Sequence, residues 1–231
     1  MATQLPLIDL RLGRWEEALD GESCDLLLSD PPFSERTHSG HDASVGGTRR
    51  GIGFASWSEE DARRFVESWA PRTRGWFVVE TDHVLAPVFE AALAEAGRYV
   101  FAPLPYVAPG SRVRLQGDGP ACWTTWIVVA RPRTKEFAKW GALPGAYVGS
   151  RGNLPLAGGK PEWLQRQIVR DYSRRGEVVC DPCAGGGSTL RAAVLEGRLA
   201  LGAEVDPDTY TIASGDLAKL RGPAGQLALF A

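Results

Sequence analysis

Long apolar runs are missing from this chain of 231 residues. No stretch approaches the roughly 18 uninterrupted apolar residues that a membrane-spanning helix needs, so no membrane partner is expected. The opening MATQLPLIDLRLGRW holds no basic region followed by a long apolar run, and no signal peptide is read there. Cysteine is scarce. The four present (Cys24, Cys122, Cys180 and Cys183) are too few for a disulfide scaffold and point to a reducing cytosol. Three histidines, His38, His41 and His83, leave little material for a metal site, and none is expected. Strong net charge is absent too, at −2 with a pI of about 6.0. Binding to nucleic acid would therefore need a local basic patch.

What is present is the composition of a globular protein, 44% hydrophobic and 23% charged, enough for a sizeable core. There is no internal repeat of 20–50 residues. Residues 24–30, 76–80 and 176–182 read as buried strands, and 7–12 and 199–205 also read as strands. The runs 98–107 and 123–132 read as strands at the far side of a sheet. Helices are expected from the Ser58 cap and its acidic first turn to about Ala70, and over 84–96 with Gly97 beyond. Further helices are expected from Pro161 to 173, from Ser188 and from Pro207. This alternation predicts an α/β fold with a doubly wound, mostly parallel sheet. Residues 34–53 form a long polar loop, a length that tends to be functional.

One segment has a charge of its own. Residues 131–160 hold Arg131, Arg133, Lys135, Lys139, Arg151 and Lys160 against one acid, Glu136, and are rich in Gly and Pro. An irregular basic insertion is expected there. Clustering favours a nucleic-acid contact, although any one of these side chains alone reads as a solvated charge.

Two strand-to-turn junctions carry chemistry. Asp181-Pro182-Cys183-Ala184-Gly185-Gly186-Gly187-Ser188-Thr189 follows a buried strand and precedes a helix. A Gly-rich turn in that place lets backbone approach a nucleotide-like ligand. It lacks the Gly-Lys-Ser/Thr of a phosphate loop, so ATP and GTP are not expected. Glu204 lies about 20 residues on, where an acid can hold ribose hydroxyls. The bland alternative is a tight turn with a surface acid. The second junction is Ser29-Asp30-Pro31-Pro32-Phe33. Two prolines remove backbone donors and fix an extended chain, leaving carbonyls free to accept. With the Asp30 carboxylate and the flat Phe33 ring, the set suits an exocyclic amine on a planar base. Alone, it reads equally well as a rigid turn with a buried Phe.

Together the junctions resemble the AdoMet-dependent amino-methyltransferases of DNA. Asp30-Pro31-Pro32-Phe33 is similar to their catalytic D/N/S-P-P-Y/F/W tetrapeptide. Residues 181–189 are similar to D-P-F-x-G-x-G-T-T, and Gly202-Ala-Glu204-Val205-Asp206-Pro-Asp-Thr-Tyr210 to G-x-E-x-D-P-x-Y. Lys160-Pro161 with Leu164 resembles the family's K-P-x-x-L. The catalytic motif precedes the cofactor motif, the circularly permuted order of the β group. Departures are Cys183 where the family has an aromatic, Arg14 where it has an acid, and Phe33 for the commoner Tyr.

The resemblance implies a Rossmann-like, seven-stranded fold in one domain. Residues 1–130 would be its catalytic half, 131–159 a short basic target-recognition insertion, and 160–222 its AdoMet-binding half. It implies AdoMet as cofactor, AdoHcy as product and no metal. Asp30, Pro31, Pro32 and Phe33 would be catalytic. Ser29, Asp30, Lys160, Pro161, Asp181, Pro182, Cys183, Ala184, Gly185, Gly187, Ser188, Thr189, Glu204, Val205 and Asp206 would bind the cofactor. DNA contacts are expected from Arg49, Arg50, Arg131, Arg133, Lys135, Lys139 and Arg151, and base stacking is to be tested at Trp57 and Trp140.

D-P-P leans toward the N6 amine of adenine. The N4 amine of cytosine stays open, as does a DNA- or clamp-binding accessory protein with a degenerate cofactor site. The tail after residue 222 contains Gln226-Leu-Ala-Leu-Phe230, which resembles the peptide by which bacterial proteins dock on the sliding clamp. Packing of that tail on its own domain is the equal alternative. A cytoplasmic, bacterial or phage protein of the restriction-modification kind is expected. Its oligomeric state, a homodimer included, stays open.

Overall fold

The computed structural model describes residues 7–37, 55–111, 119–152 and 159–220. In chain order its elements begin with β1 (Ile8–Leu12), α1 (Trp15–Ala18), β2 (Cys24–Ser29), α2 (Glu59–Trp69) and β3 (Thr73–Thr81). There follow α3 (Ala86–Glu95), β4 (Tyr99–Val100), β5 (Leu104–Val107), β6 (Thr124–Arg131), a 3-10 turn (Phe137–Lys139) and β7 (Tyr147–Val148). The chain then forms α4 (Glu162–Tyr172), β8 (Val178–Asp181), α5 (Ser188–Leu195), β9 (Leu199–Glu204) and α6 (Pro207–Ala218). Two compact units result: Met1–Ser29 with Leu154–Ala231, and Asp30–Asn153.

The first unit is built on parallel strands in the order β1-β9-β8-β2. Leu26, Leu27, Leu28, Val179 and Cys180 are fully buried, as continuous apolar strands of a parallel sheet require. α4 and α5 pack on one another, and Arg191 Nε reaches Glu162 Oε2 across them at 2.6 Å. Their buried face is Leu164, Ile168 and Val169 from α4 with Leu190 and Ala193 from α5. Asp206 caps α6 by accepting from the Thr209 N–H at 2.8 Å, with Pro207 at the first helical position.

The second unit pairs β3 with β6 antiparallel, β6 with both β4 and β5 antiparallel, and β5 with β7 parallel. Ser58 opens α2 through a capping box with Asp61. α2 buries Phe65, Val66 and Trp69, and Phe65 meets Phe77 of β3 edge to face at 6.2 Å.

The α/β, mostly parallel reading of the sequence is borne out. The strand count differs: nine among the described residues, two of them only two residues long, against the seven expected. The run read as one strand over 98–107 is two, because Ala102-Pro103 interrupts the ladder with a residue that has no N–H to give.

Candidate functional site

Ligands of open α/β sheets bind beyond the carboxyl ends of the strands. In the first unit β2 and β8 are parallel neighbours, with Leu26 opposite Val179 and Leu27 opposite Cys180. They end at Ser29 and Asp181. The Ser29 hydroxyl donates to Asp181 Oδ1 at 2.8 Å, and the Cys183 N–H donates to the same oxygen at 3.1 Å. Both Ser29 and Asp181 are buried. One carboxylate thus closes the turn over Pro182 and holds the end of β2.

The glycine loop follows. Gly185 and Gly187 have φ of +51° and +77°, a region open to glycine at little cost. A Cβ on Gly187 would also crowd Leu217 at 3.3 Å, whereas one on Gly185 would meet nothing within 4 Å. The Gly185 N–H donates to Glu204 Oε2 and the Asp206 N–H to Glu204 Oε1, each at 2.8 Å. Burial pushes the Glu204 carboxyl above the ordinary glutamate range, and these backbone hydrogen bonds only partly offset it. Gly202, one strand position from Ala203, lies so close to β8 that a Cβ would stand 2.9 Å from the Asp181 carbonyl oxygen and from Leu190 Cδ1. The loop is thus built by close approach of β9 to the end of β8.

Other cofactor-side expectations find their places in the same unit. Ala184 is buried, and its N–H donates to Ala203 O at 2.9 Å. Cys183 and Ser188 are half-buried, and Val205 is 56% exposed. Lys160 and Pro161 are buried directly before α4. Sequence reasoning missed Gln165. It is fully buried, and its Oε1 accepts from Thr189 Oγ1 at 3.3 Å. A polar residue beside Leu164 on the apolar face of α4 was the available signal.

The tetrapeptide opens the second unit. Pro31 is buried, while Asp30, Pro32 and Phe33 are half-buried. The Phe33 carbonyl accepts from the Trp57 N–H at 3.0 Å. The next N–H, that of Ser34, donates to Asp82 Oδ2 at 2.9 Å. The Ser34 hydroxyl also donates to Oδ2, as does Thr37 Oγ1 at 2.6 Å. Asp82 Oδ1 accepts from the N–H groups of Val84 at 3.0 Å and Leu85 at 2.9 Å. Burial works to raise the Asp82 carboxyl, but the donors from Ser34, Thr37 and Leu85 outweigh it and hold it below the ordinary range. Asp82 was not anticipated from sequence. The Trp57 ring packs on Phe65 at 5.3 Å.

The basic segment is divided. β6 runs against β3, with Ala130 opposite Phe77 and Trp126 opposite Thr81. Arg131 therefore leaves the sheet at the end of β3 away from Asp82. Its guanidinium lies 4.4 Å over Tyr99, and that of Arg133 lies 5.6 Å over the same ring. Arg133 Nε also donates to Gly97 O at 3.2 Å. Lys135 and Lys139 are exposed. Trp140 stacks on Phe137 at 5.4 Å and meets Trp76 at 5.8 Å, which makes it part of an aromatic cluster. Arg151 is elsewhere: its charge acts on the Tyr106 hydroxyl of β5, which burial holds above the ordinary range. Arg49, Arg50, His38, His41 and the tail from Gln226 to Phe230 lie outside the described residues.

Among the described residues no group of three or more His, Cys, Asp and Glu side chains is placed to hold a metal ion. No helix among them is long and apolar enough to cross a membrane.

A parallel strand order, a glycine turn after β8 and an acid at the end of β9 define an α/β fold of the nucleotide-binding, Rossmann-like kind. Known proteins make this specific. Residues 123–214 match the N6/N4 methyltransferase family model described as DNA methylase. No curated protein matches the chain at a significant level. In structure the chain is similar to the M1.HpyAVI–SAM complex, with TM-score 0.66, 17% identity, and 91% of this chain and 98% of that one covered. It is similar to a candidate DNA modification methylase from Thermus thermophilus solved with S-adenosyl-L-methionine, with TM-score 0.58, 20% identity and 92% and 93% covered. It is also similar to the PvuII DNA methyltransferase named cytosine-N4-specific, with TM-score 0.63, 15% identity and 91% and 88% covered. The resemblance read from the motifs is borne out. Over residues 123–214 the chain is similar in sequence to the N6/N4 DNA methylases, and in fold it is similar to solved DNA methyltransferases.

Proposed function

We propose that the protein methylates the exocyclic N6 amine of adenine in DNA, with AdoMet as donor. The observation that carries this reading is the Ser29–Asp181 hydrogen bond at 2.8 Å. It joins the strand that leads into Asp30 to the strand that leads into the glycine loop. The first unit fits AdoMet: a backbone approach at Gly185 with open space where a Cβ would be, and an anionic acceptor at Glu204 beside it. Glu204 would take the ribose hydroxyls, while Asp181, the Gly185–Gly187 backbone and Lys160-Pro161 would take the methionine part. The bound cofactor supplies an electrophilic methyl group on a sulfonium.

The chain's own task is positioning and electrostatics. Asp30 and the Pro31 carbonyl accept the two amine hydrogens and hold the nitrogen lone pair toward the methyl carbon. Asp30 would accept the proton displaced from the amine as it takes the methyl group and pass it to solvent, with AdoHcy as the other product. Phe33 stacks on the base once it is extruded from the helix, a step that costs a few kcal/mol. Arg131, Arg133, Lys135, Lys139 and Arg151 would meet phosphates. Removing the Asp30 acceptor should slow transfer by roughly 10²–10³. A folded Asp30→Ala protein that keeps full activity refutes the assignment. The likeness to a cytosine-N4-specific enzyme supports a second reading, the same chemistry on the N4 amine of cytosine.

A further inference from the structure

The peptide joining Phe33 to Ser34 is held at both poles. Its carbonyl oxygen accepts from the Trp57 N–H at 3.0 Å, and its N–H donates to Asp82 Oδ2 at 2.9 Å. A peptide unit is planar, so fixing its two ends fixes the plane. The rotation about the Phe33 Cα–C bond is then set, and with it the direction from which the Phe33 side chain leaves the chain. Pro31 and Pro32 restrict the backbone on the other side of Phe33.

Asp82 does more than hold this one N–H. Oδ2 also accepts from the hydroxyls of Ser34 and Thr37, and Oδ1 accepts from the N–H groups of Val84 and Leu85. The Asp82 carbonyl accepts from the Ala86 N–H at 3.0 Å, where α3 begins. The five groups bonded to the carboxylate are all donors. Only a group with acceptors on both sides meets that demand, and an ionised carboxylate is one. An amide of the same shape must turn its NH₂ toward donors on one side or the other.

We infer that Asp82 is a positioning residue for methyl transfer. Its carboxylate locks the Phe33–Ser34 peptide to the end of β3 and so presents Phe33 to the base. The inference rests on the proposed function, and it adds a residue 48 positions from Ser34 in the chain that no motif contains. Asp82 acts through Ser34, Thr37 and the backbone, without touching base or cofactor.

The test compares the wild-type protein with Asp82→Asn, Thr37→Val and Thr37→Ser. Incorporation of labelled methyl from AdoMet into unmethylated DNA gives kcat. Calorimetry gives AdoMet affinity, thermal unfolding gives Tm, and amide exchange is read at Ser34. Misplacing a reacting group by about 1 Å costs roughly 10²-fold. Asp82→Asn should therefore lose roughly 10–100-fold in kcat, with AdoMet affinity within about twofold of wild type. Its Ser34 amide should exchange at least ~10-fold faster. Thr37→Val should lose less, and Thr37→Ser, which keeps the hydroxyl, should restore the rate.

Wild-type kcat in folded Asp82→Asn overturns the inference. So does a loss of kcat that follows AdoMet affinity, or a Thr37→Ser protein as slow as Thr37→Val. If Asp82→Asn does not fold, the Thr37 pair decides by the same criteria. A wild-type protein that transfers no methyl group defeats the proposed function itself. That case is distinct because all the proteins are then silent.

Discussion

Replacing Ser29 with alanine removes one hydroxyl from the junction of the two motif-bearing strands. Ser29 is buried, and its hydroxyl donates at 2.8 Å to a carboxylate that is itself only 2% exposed. Asp181 keeps the Cys183 N–H on the same oxygen at 3.1 Å, so the charge is not left bare. A hydrogen bond to a charged group contributes about 1.5–3 kcal/mol, and losing the donor to a buried acceptor costs in that range. For a chain of this size each kcal/mol moves Tm by about 2–4 °C, so Ser29→Ala should melt roughly 3–12 °C lower. Urea unfolding of Ser29→Ala, Asp181→Ala and the double variant completes the test. The two changes should be non-additive by at least about 1 kcal/mol, because each removes the same contact. A Ser29→Ala protein within about 0.5 kcal/mol of wild type, with additive effects, would refute the claim that this bond ties the end of β2 to the glycine loop.

Gly202→Ala places a Cβ 2.9 Å from the Asp181 carbonyl oxygen and Leu190 Cδ1. Because one of these atoms is backbone, it should destabilise by about 1–3 kcal/mol in urea unfolding, and an unchanged midpoint would contradict the close packing of β9 on β8. Glu204 gives a pH signature. Burial raises its carboxyl in the fold, so in the window just above the ordinary glutamate value the folded protein holds a proton that the unfolded chain has lost. Its contribution to stability falls as pH rises through that window. In the proposed role, ribose hydroxyls would donate to the ionised form, so AdoMet binding should release a proton, and affinity should weaken as pH is lowered through the same window. Calorimetry in buffers of differing ionisation enthalpy reads that proton, and Glu204→Gln should abolish the dependence.

The local structure of the glycine loop and of the turn after β9 was legible because its residues lie close together in sequence and obey local rules. Gly185 and Gly187 stand where left-handed backbone is needed, and Asp206-Pro207 is a cap followed by proline at the first helical position. Ser58 with Asp61 announced α2 in the same way. Asp82 was not legible, since its meaning comes from donors 48 and 45 positions away. The basic segment misled in one respect: one charge cluster in sequence becomes two places in space, because β6 carries Arg131 to the far end of β3 while Arg151 returns beside Tyr106. α1 and β7, of four and two residues, are too short for a periodic pattern to reveal.

Transfer of a methyl group to a base amine in DNA is read most plainly from the product. Unmethylated DNA, duplex and single-stranded, would be incubated with the protein and AdoMet, digested to nucleosides and read by mass spectrometry. N6-methyladenine is the expected product, and N4-methylcytosine would move the same mechanism to the other base. Absence of any methylated nucleoside on either form of DNA would contradict methyl transfer to DNA by this site.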